Sequence, residues 1–197
     1  MVKFNVILFD KFETLDAFGP VEVVGRLTDV YSLAYYSLNG GIVVSSQRVP
    51  IITQSFAEMD PTGILLIPGG MGTRKLVDDG NFIERLKELA EMVAYVLTVC
   101  TGSALLAKTT LLDGRCATSN KRAFEWACSN GIEVNWVKKA RWVKDGKYYT
   151  SSGVSAGIDM TLGFIRDLHG MGTAQAIAKG IEYIWNPCAD HDPFAVE

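Results

Sequence analysis

Residues 96–108 read VLTVCTGSALLAK, and Cys100 stands where an apolar run gives way to helix formers. A thiol at such a corner can serve as a nucleophile. A parallel strand that turns directly into a helix presents its corner residue at the carboxyl edge of the sheet, where open α/β folds bind ligands. Gly102, Ser103 and Ala104 are small enough for the helix to begin hard against the strand, the geometry of a nucleophile elbow. Unpaired N–H groups at the helix start favour a thiolate and lower the thiol pKa. The opposing reading is a buried core cysteine, the ordinary fate of a free thiol.

Two other stretches can meet Cys100. IPGG at 67–70 ends a second apolar run. If the two strands are neighbours, Gly69 and Gly70 bring bare backbone N–H groups to the same edge, where they can hold developing negative charge; a plain turn is the alternative. GGMGT lacks the spacing and the lysine of a phosphate loop. TLDAFGPVEVV at 14–24 follows the first apolar run. Here Asp16 is expected in a loop just before a helix that starts at Gly19, with Pro20 in its first turn. It is either a helix-capping acid or a proton donor or acceptor facing Cys100. An acid beside a thiolate feels a like charge, so one of the pair must hold a proton. Glu22 is the second candidate acid; its place further along the helix favours an ion pair or solvent.

These corners need a scaffold of alternating strands and helices. FNVILF (4–9), YSLAYYSL (31–38), GILLIPGG (63–70) and AYVLTV (94–99) read as strands, the last uniformly apolar like the centre of a parallel sheet. Residues 42–53 suggest a hairpin, and ARWVKDGKYYT a second one around Asp145-Gly146. NFIERLKELAEMV (81–93) is helical by spacing, with Asn81 and Glu84 placed like a capping box. VSAGIDMTLGFI (154–165) and TAQAIAKGIEYI (173–184) carry helical apolar stripes. The alternation predicts an α/β sandwich with a mostly parallel sheet.

Bulk properties exclude several function classes. The chain has 197 residues, 48% of them hydrophobic, with a net charge of −3 from 19 basic and 22 acidic side chains. No single-sign block supports nucleic-acid or membrane-surface binding. The best basic cluster, KKARWVKDGK at 138–147, reads as the solvated edge of a hairpin. No run approaches the roughly 20 apolar residues of a membrane span, and no signal peptide is evident. Cys100, Cys116, Cys128 and Cys188 form no Cys-x-x-Cys pair, so no metal site and a reduced, cytoplasmic chain are expected. Cys116, Cys128 and Cys188 lack an elbow and read as core or surface residues.

Leu15-Asp16-x-x-Gly19-Pro20-x-Glu22-Val23, Ile67-Pro68-Gly69-Gly70 and Val99-Cys100-Thr101-Gly102, with SSGVSAGIDMTLGFI at 151–165, together resemble the ThiJ/PfpI superfamily over essentially the whole chain. The resemblance implies one domain over residues 1–197 with a flavodoxin-like three-layer sandwich, related to class I glutamine amidotransferases, and a homodimer. It implies Cys100 as nucleophile, Asp16 as its acid partner, and Gly70 with Thr101 as backbone donors. The Asp16 block and Thr101 are most similar to isocyanide hydratases and to the sensing domains of AraC-type regulators. Members proposed as peptidases carry His after the cysteine, where this chain has Thr101, and amidotransferases need a later His that GVSAGID lacks. The two histidines, His169 and His191, read as structural or solvent-facing. The implied activity is hydration of an isocyanide to an N-substituted formamide, on a small-molecule substrate and without cofactor. The alternatives are glyoxal- or amide-directed chemistry, or a ligand- or redox-sensing protein without turnover. A regulator of the AraC type needs a helical DNA-binding extension, and no helix-turn-helix pattern follows residues 182–194, so a stand-alone domain is expected.

Overall fold

The computed structural model describes residues 1–195. In chain order its elements are β1 (Val2–Ile7), α1 (Thr14–Gly25), β2 (Tyr31–Ser37), β3 (Asn39–Val44), β4 (Pro50–Ser55), β5 (Ile64–Ile67), α2 (Thr73–Leu76), α3 (Gly80–Met92), β6 (Tyr95–Val99) and α4 (Gly102–Lys108). Then follow β7 (Cys116–Ala117), α5 (Phe124–Ser129), β8 (Asn135–Trp136), β9 (Trp142–Asp145), β10 (Tyr148–Ser151), α6 (Ala156–His169) and α7 (Met171–Gly180). The main sheet runs β3-β4-β2-β1-β5-β6-β10-β9, and β7 pairs with β8 in a small separate one. Every pairing from β4 to β10 across the middle is parallel; the edge strands β3 and β9 are antiparallel to their neighbours.

This order decides where a ligand can sit. From β1 the chain steps to β2 on one side, whereas β5, β6 and β10 step away on the other. Because parallel crossovers are right-handed, that reversal sends the connecting helices to opposite faces and opens a crevice at the carboxyl ends of β1 and its neighbours. Helix α1 packs against α6, and α6 against α7; α3 packs against α4. Of the strands between, β5 (Ile64–Ile67), β10 (Tyr148–Ser151) and β6 from Val96 to Val99 are fully buried.

Both predicted hairpins form: Ile42 faces Ile52, and Tyr148 faces Asp145. Several element ends differ from expectation. Helix α1 starts at Thr14, not Gly19, so Asp16 lies in its first turn and Pro20 in its interior. An interior proline forgoes one hydrogen bond and crowds the carbonyl four residues back; packing of α1 on β2 and α6 outweighs that cost. The cap of α3 is Asp79, whose carboxylate accepts from the Phe82 N–H at 3.1 Å, and not an Asn81–Glu84 box. Helix α7 ends at Gly180, short of residue 184. In the basic stretch 138–147, Arg141 is buried rather than solvated: its side chain is 7% exposed and pairs with Asp159 at 2.6 Å and Asp192 at 3.5 Å.

Candidate active site

Cys100 follows β6 without a spacer residue and takes φ = 58°, in the left-handed region. For a residue with a Cβ this costs about 1–2 kcal/mol, so surrounding bonds must hold it. Its N–H donates to the carbonyls of Ser151 (3.2 Å) and Ser152 (3.0 Å) at the end of β10. Its carbonyl accepts from the hydroxyls of Ser103 and Ser119, both at 3.0 Å. Helix α4 can begin two residues later because position 102 is glycine. A Cβ there would lie 2.3 Å from the Ile67 carbonyl oxygen.

Asp16 is brought to the same point by the first turn of α1 and is fully buried. The Gly69 N–H donates to its Oδ2 at 3.0 Å. Oδ1 has no hydrogen-bond partner among the described residues, and Asp16 and Cys100 lie close enough for each to shift the other's pKa. Three strand ends thus converge at Gly69, where a Cβ would come within 2.6 Å of the Thr101 nitrogen and 2.8 Å of Asp16 Oδ2.

The electrostatics of this pair reverse the simple helix-terminus expectation. Burial pushes the Asp16 pKa up to about 8, against the pull of the Gly69 N–H; Glu13 adds to the rise. Burial also drives the Cys100 thiol well above its usual range, and the facing Asp16 carboxyl drives it further. The Thr101 N–H and hydroxyl favour the thiolate, but too weakly to offset this. At neutral pH the resting site therefore holds a thiol beside a carboxylic acid.

The glycine N–H groups are not bare donors. Gly69 is committed to Asp16, and the Gly70 N–H donates to Thr101 Oγ1 at 3.1 Å. The hydroxyl of Thr73 lies 2.8 Å from the Gly70 carbonyl and 3.1 Å from Thr101 Oγ1, which ties the turn to the elbow. Glu22 is on the exposed side of α1, paired with Arg26. Tyr31 hydroxyl and His169 Nε2 are 2.6 Å apart, and His191 is exposed; neither histidine lines the Cys100 cavity.

Cys100 and Thr101 open onto a cavity of about 390 Å³ walled also by Glu13, Met71, Arg74 and Arg122. Arg74, Asn120 and Arg122 carry no sequence signal, because α2 and the 118–123 loop reach the crevice only through tertiary packing. A second cavity of about 390 Å³ shares Asn120, Arg122 and Val154 with the first and is lined also by Phe194. Among the described residues no cluster of His, Cys, Asp or Glu suits a metal ion, and no helix is long and apolar enough to cross a membrane.

The sequence and fold are matched by known proteins. The DJ-1/PfpI family pattern covers residues 2–167. The chain belongs to the DJ-1/PfpI family. An isonitrile hydratase of Pseudomonas putida is 29% identical over 96% of this chain and 82% of that protein. The HTH-type transcriptional regulator CdhR of Pseudomonas aeruginosa is 28% identical over 84% of this chain and 49% of its own length. Among solved structures, a ThiJ/PfpI family protein from Pseudomonas syringae superposes with a TM-score of 0.81 at 24% identity, over 94% of this chain and 76% of that one. The central parallel sheet flanked by helices is the arrangement expected for this family.

Proposed function

We propose that the protein is a cofactor-independent hydratase of isonitriles, with Cys100 as nucleophile and Asp16 as proton donor. The observation that carries this reading is the fully buried Asp16 carboxyl beside Cys100 at the β6–α4 corner, with Cys100 lining a cavity; burial raises the Asp16 pKa to about 8, so it can hold a proton at neutral pH. The similarity to isonitrile hydratase over nearly the whole chain supports the substrate class. The terminal carbon of an isonitrile accepts a sulfur and a proton on the same atom. As Cys100 Sγ bonds to it, Asp16 delivers its proton to that carbon and takes up the thiol proton, leaving a thioimidate. Water then adds to the thioimidate carbon, the C–S bond breaks, and an N-substituted formamide leaves with the thiol restored. Thr101, through its N–H and hydroxyl, stabilises negative charge on sulfur during attack. The Gly70 N–H joins that role only by releasing Thr101 Oγ1. The same reading takes the protein as a homodimer, as the family resemblance implies.

The match to a regulator favours sensing without turnover as the second reading. A screen of isonitriles, glyoxals and small amides, with Cys100→Ala as control, separates the two. Formamide accumulating with the parent and not the variant supports the hydratase; saturable binding with no product on any substrate supports the sensor.

A further inference from the structure

Two guanidiniums wall the Cys100 cavity without a carboxylate partner among the described residues. Arg74 and Arg122 both line it and take part in no ion pair there. The Arg74 guanidinium carbon lies over the Trp126 ring, 3.4 Å from its centroid, a contact that orders the group while its N–H donors stay free for a ligand. The acid on the same wall, Glu13, accepts from Gln47 Nε2 at 2.7 Å and sets one negative charge against the two guanidiniums. Lys121, next to Arg122, is not available, since its ammonium bonds Thr118 Oγ1 at 2.8 Å and the Ala140 carbonyl at 2.6 Å. With Asp16 and Cys100 both neutral at rest, the cavity holds more positive charge than its own side chains cancel. Planar donor forks in a partly closed cavity suit a carboxylate better than a spherical anion.

We propose that Arg74 and Arg122 form a carboxylate-recognition site beside Cys100, so that the substrate is a small electrophile bearing a carboxylate a few bonds from its reacting carbon. The proposal rests on Cys100 being the reacting atom, and it narrows the substrate class of the hydratase reading to isonitriles of the isocyanoacetate type. The acid would be fixed by the arginines while the terminal carbon reaches Sγ. A rival role for the arginines is to stabilise the Cys100 thiolate; burial draws the Arg74 pKa down and that thiolate draws it back up. The rival role acts on every electrophile alike, whereas a recognition site distinguishes anionic from neutral ones.

Iodoacetate and iodoacetamide make that distinction without depending on isonitrile turnover. Each forms a C–S bond to cysteine as its C–I bond breaks and iodide leaves. They differ in little but charge, and exposed Cys116 and Cys188 supply the intrinsic ratio of the two rates within the same molecule. Peptide mass spectrometry over a time course reads all three sites. The expected iodoacetate-to-iodoacetamide ratio at Cys100 exceeds that at Cys116 and Cys188 by about tenfold, which corresponds to ~1.4 kcal/mol. Arg122→Gln, at an exposed position that the fold does not need, should remove most of that excess, and Arg122→Glu should invert it. A ratio at Cys100 equal to that of the exposed cysteines overturns the proposal, as does an excess that survives Arg122→Gln together with Arg74→Gln. If both reagents slow equally in the arginine variants, the thiolate-stabilising role holds instead. Turnover of a neutral isonitrile, measured separately, tests the hydratase reading alone.

Discussion

At the residue scale the site turns on one buried carboxyl. Cys100 and Asp16 were legible because a nucleophile on a strand–helix corner and an acid near another strand end are rare placements that topology brings together. That one of the pair holds a proton was legible from their like charges; that both do was not, since it follows from burial. Asp16→Asn keeps a group that accepts from the Gly69 N–H but cannot relay a proton. Turnover should therefore fall by about 100- to 10,000-fold, as for loss of a general acid or base, while melting shows the fold intact. Loss of less than about threefold would assign the proton to another group. The same variant reads the pH linkage. The folded-state pKa of about 8 lies above the usual 3.8, so this group's stabilisation is fully present below about pH 4. It is lost as pH rises toward 8, because the unfolded chain releases the proton first. Denaturant melts from pH 4 to 9 should show the parent losing stability relative to Asp16→Asn, with a plateau above pH 8. Parallel curves for the two proteins would show that Asp16 titrates as an ordinary acid.

At the element scale the strands were readable from apolar runs and the second hairpin from Asp145-Gly146, but the start of α1 and the cap of α3 were not. Pro20 pointed to a first turn and instead sits inside α1, because tertiary packing outweighs a local breaker. Asn81 offered the better-known cap pattern, yet Asp79 was the side chain placed to reach the Phe82 N–H. The element on which the site depends is the elbow between β6 and α4. Gly102→Ala places a methyl 2.3 Å from the Ile67 carbonyl and 2.8 Å from that of Pro68, both backbone atoms of the adjoining β5 turn. Neither can swing aside as a side chain would. Overpacking of this kind costs about 1–3 kcal/mol, and the shift it forces moves Cys100 against Asp16. Melting should drop by several degrees and turnover by more than the loss of folded protein accounts for. A variant with parental melting and rate would mean that the elbow tolerates displacement.

At the scale of the whole molecule, the reversal of strand order at β1 and β5 explains why Asp16, Gly69 and Cys100, more than 80 residues apart at the extremes, meet in one crevice. Residues 185–194 are tied to the second, neighbouring cavity by a connection no local pattern revealed. Arg141 lay in a lysine-rich run that looks solvated, yet it is buried between Asp159 and Asp192, and Asp159 Oδ1 accepts from the Asn186 N–H at 2.9 Å. The Asp192 carboxylate in turn accepts from the N–H of Phe194, which lines the second cavity. Arg141→Met removes the cation and leaves two buried carboxylates uncompensated. Breaking one side of a buried pair costs about 3–5 kcal/mol, whereas a solvated arginine costs within about 0.5 kcal/mol. For a chain of this length each kcal/mol shifts melting by about 2–4 °C, so a fall of roughly 10 °C is expected. Hydrogen exchange should also rise across residues 185–194 before it rises in the sheet, since those backbone groups hang on Asp159 and Asp192. A melting change below about 2 °C with unchanged exchange there would return Arg141 to the solvated edge and detach residues 185–194 from the second cavity.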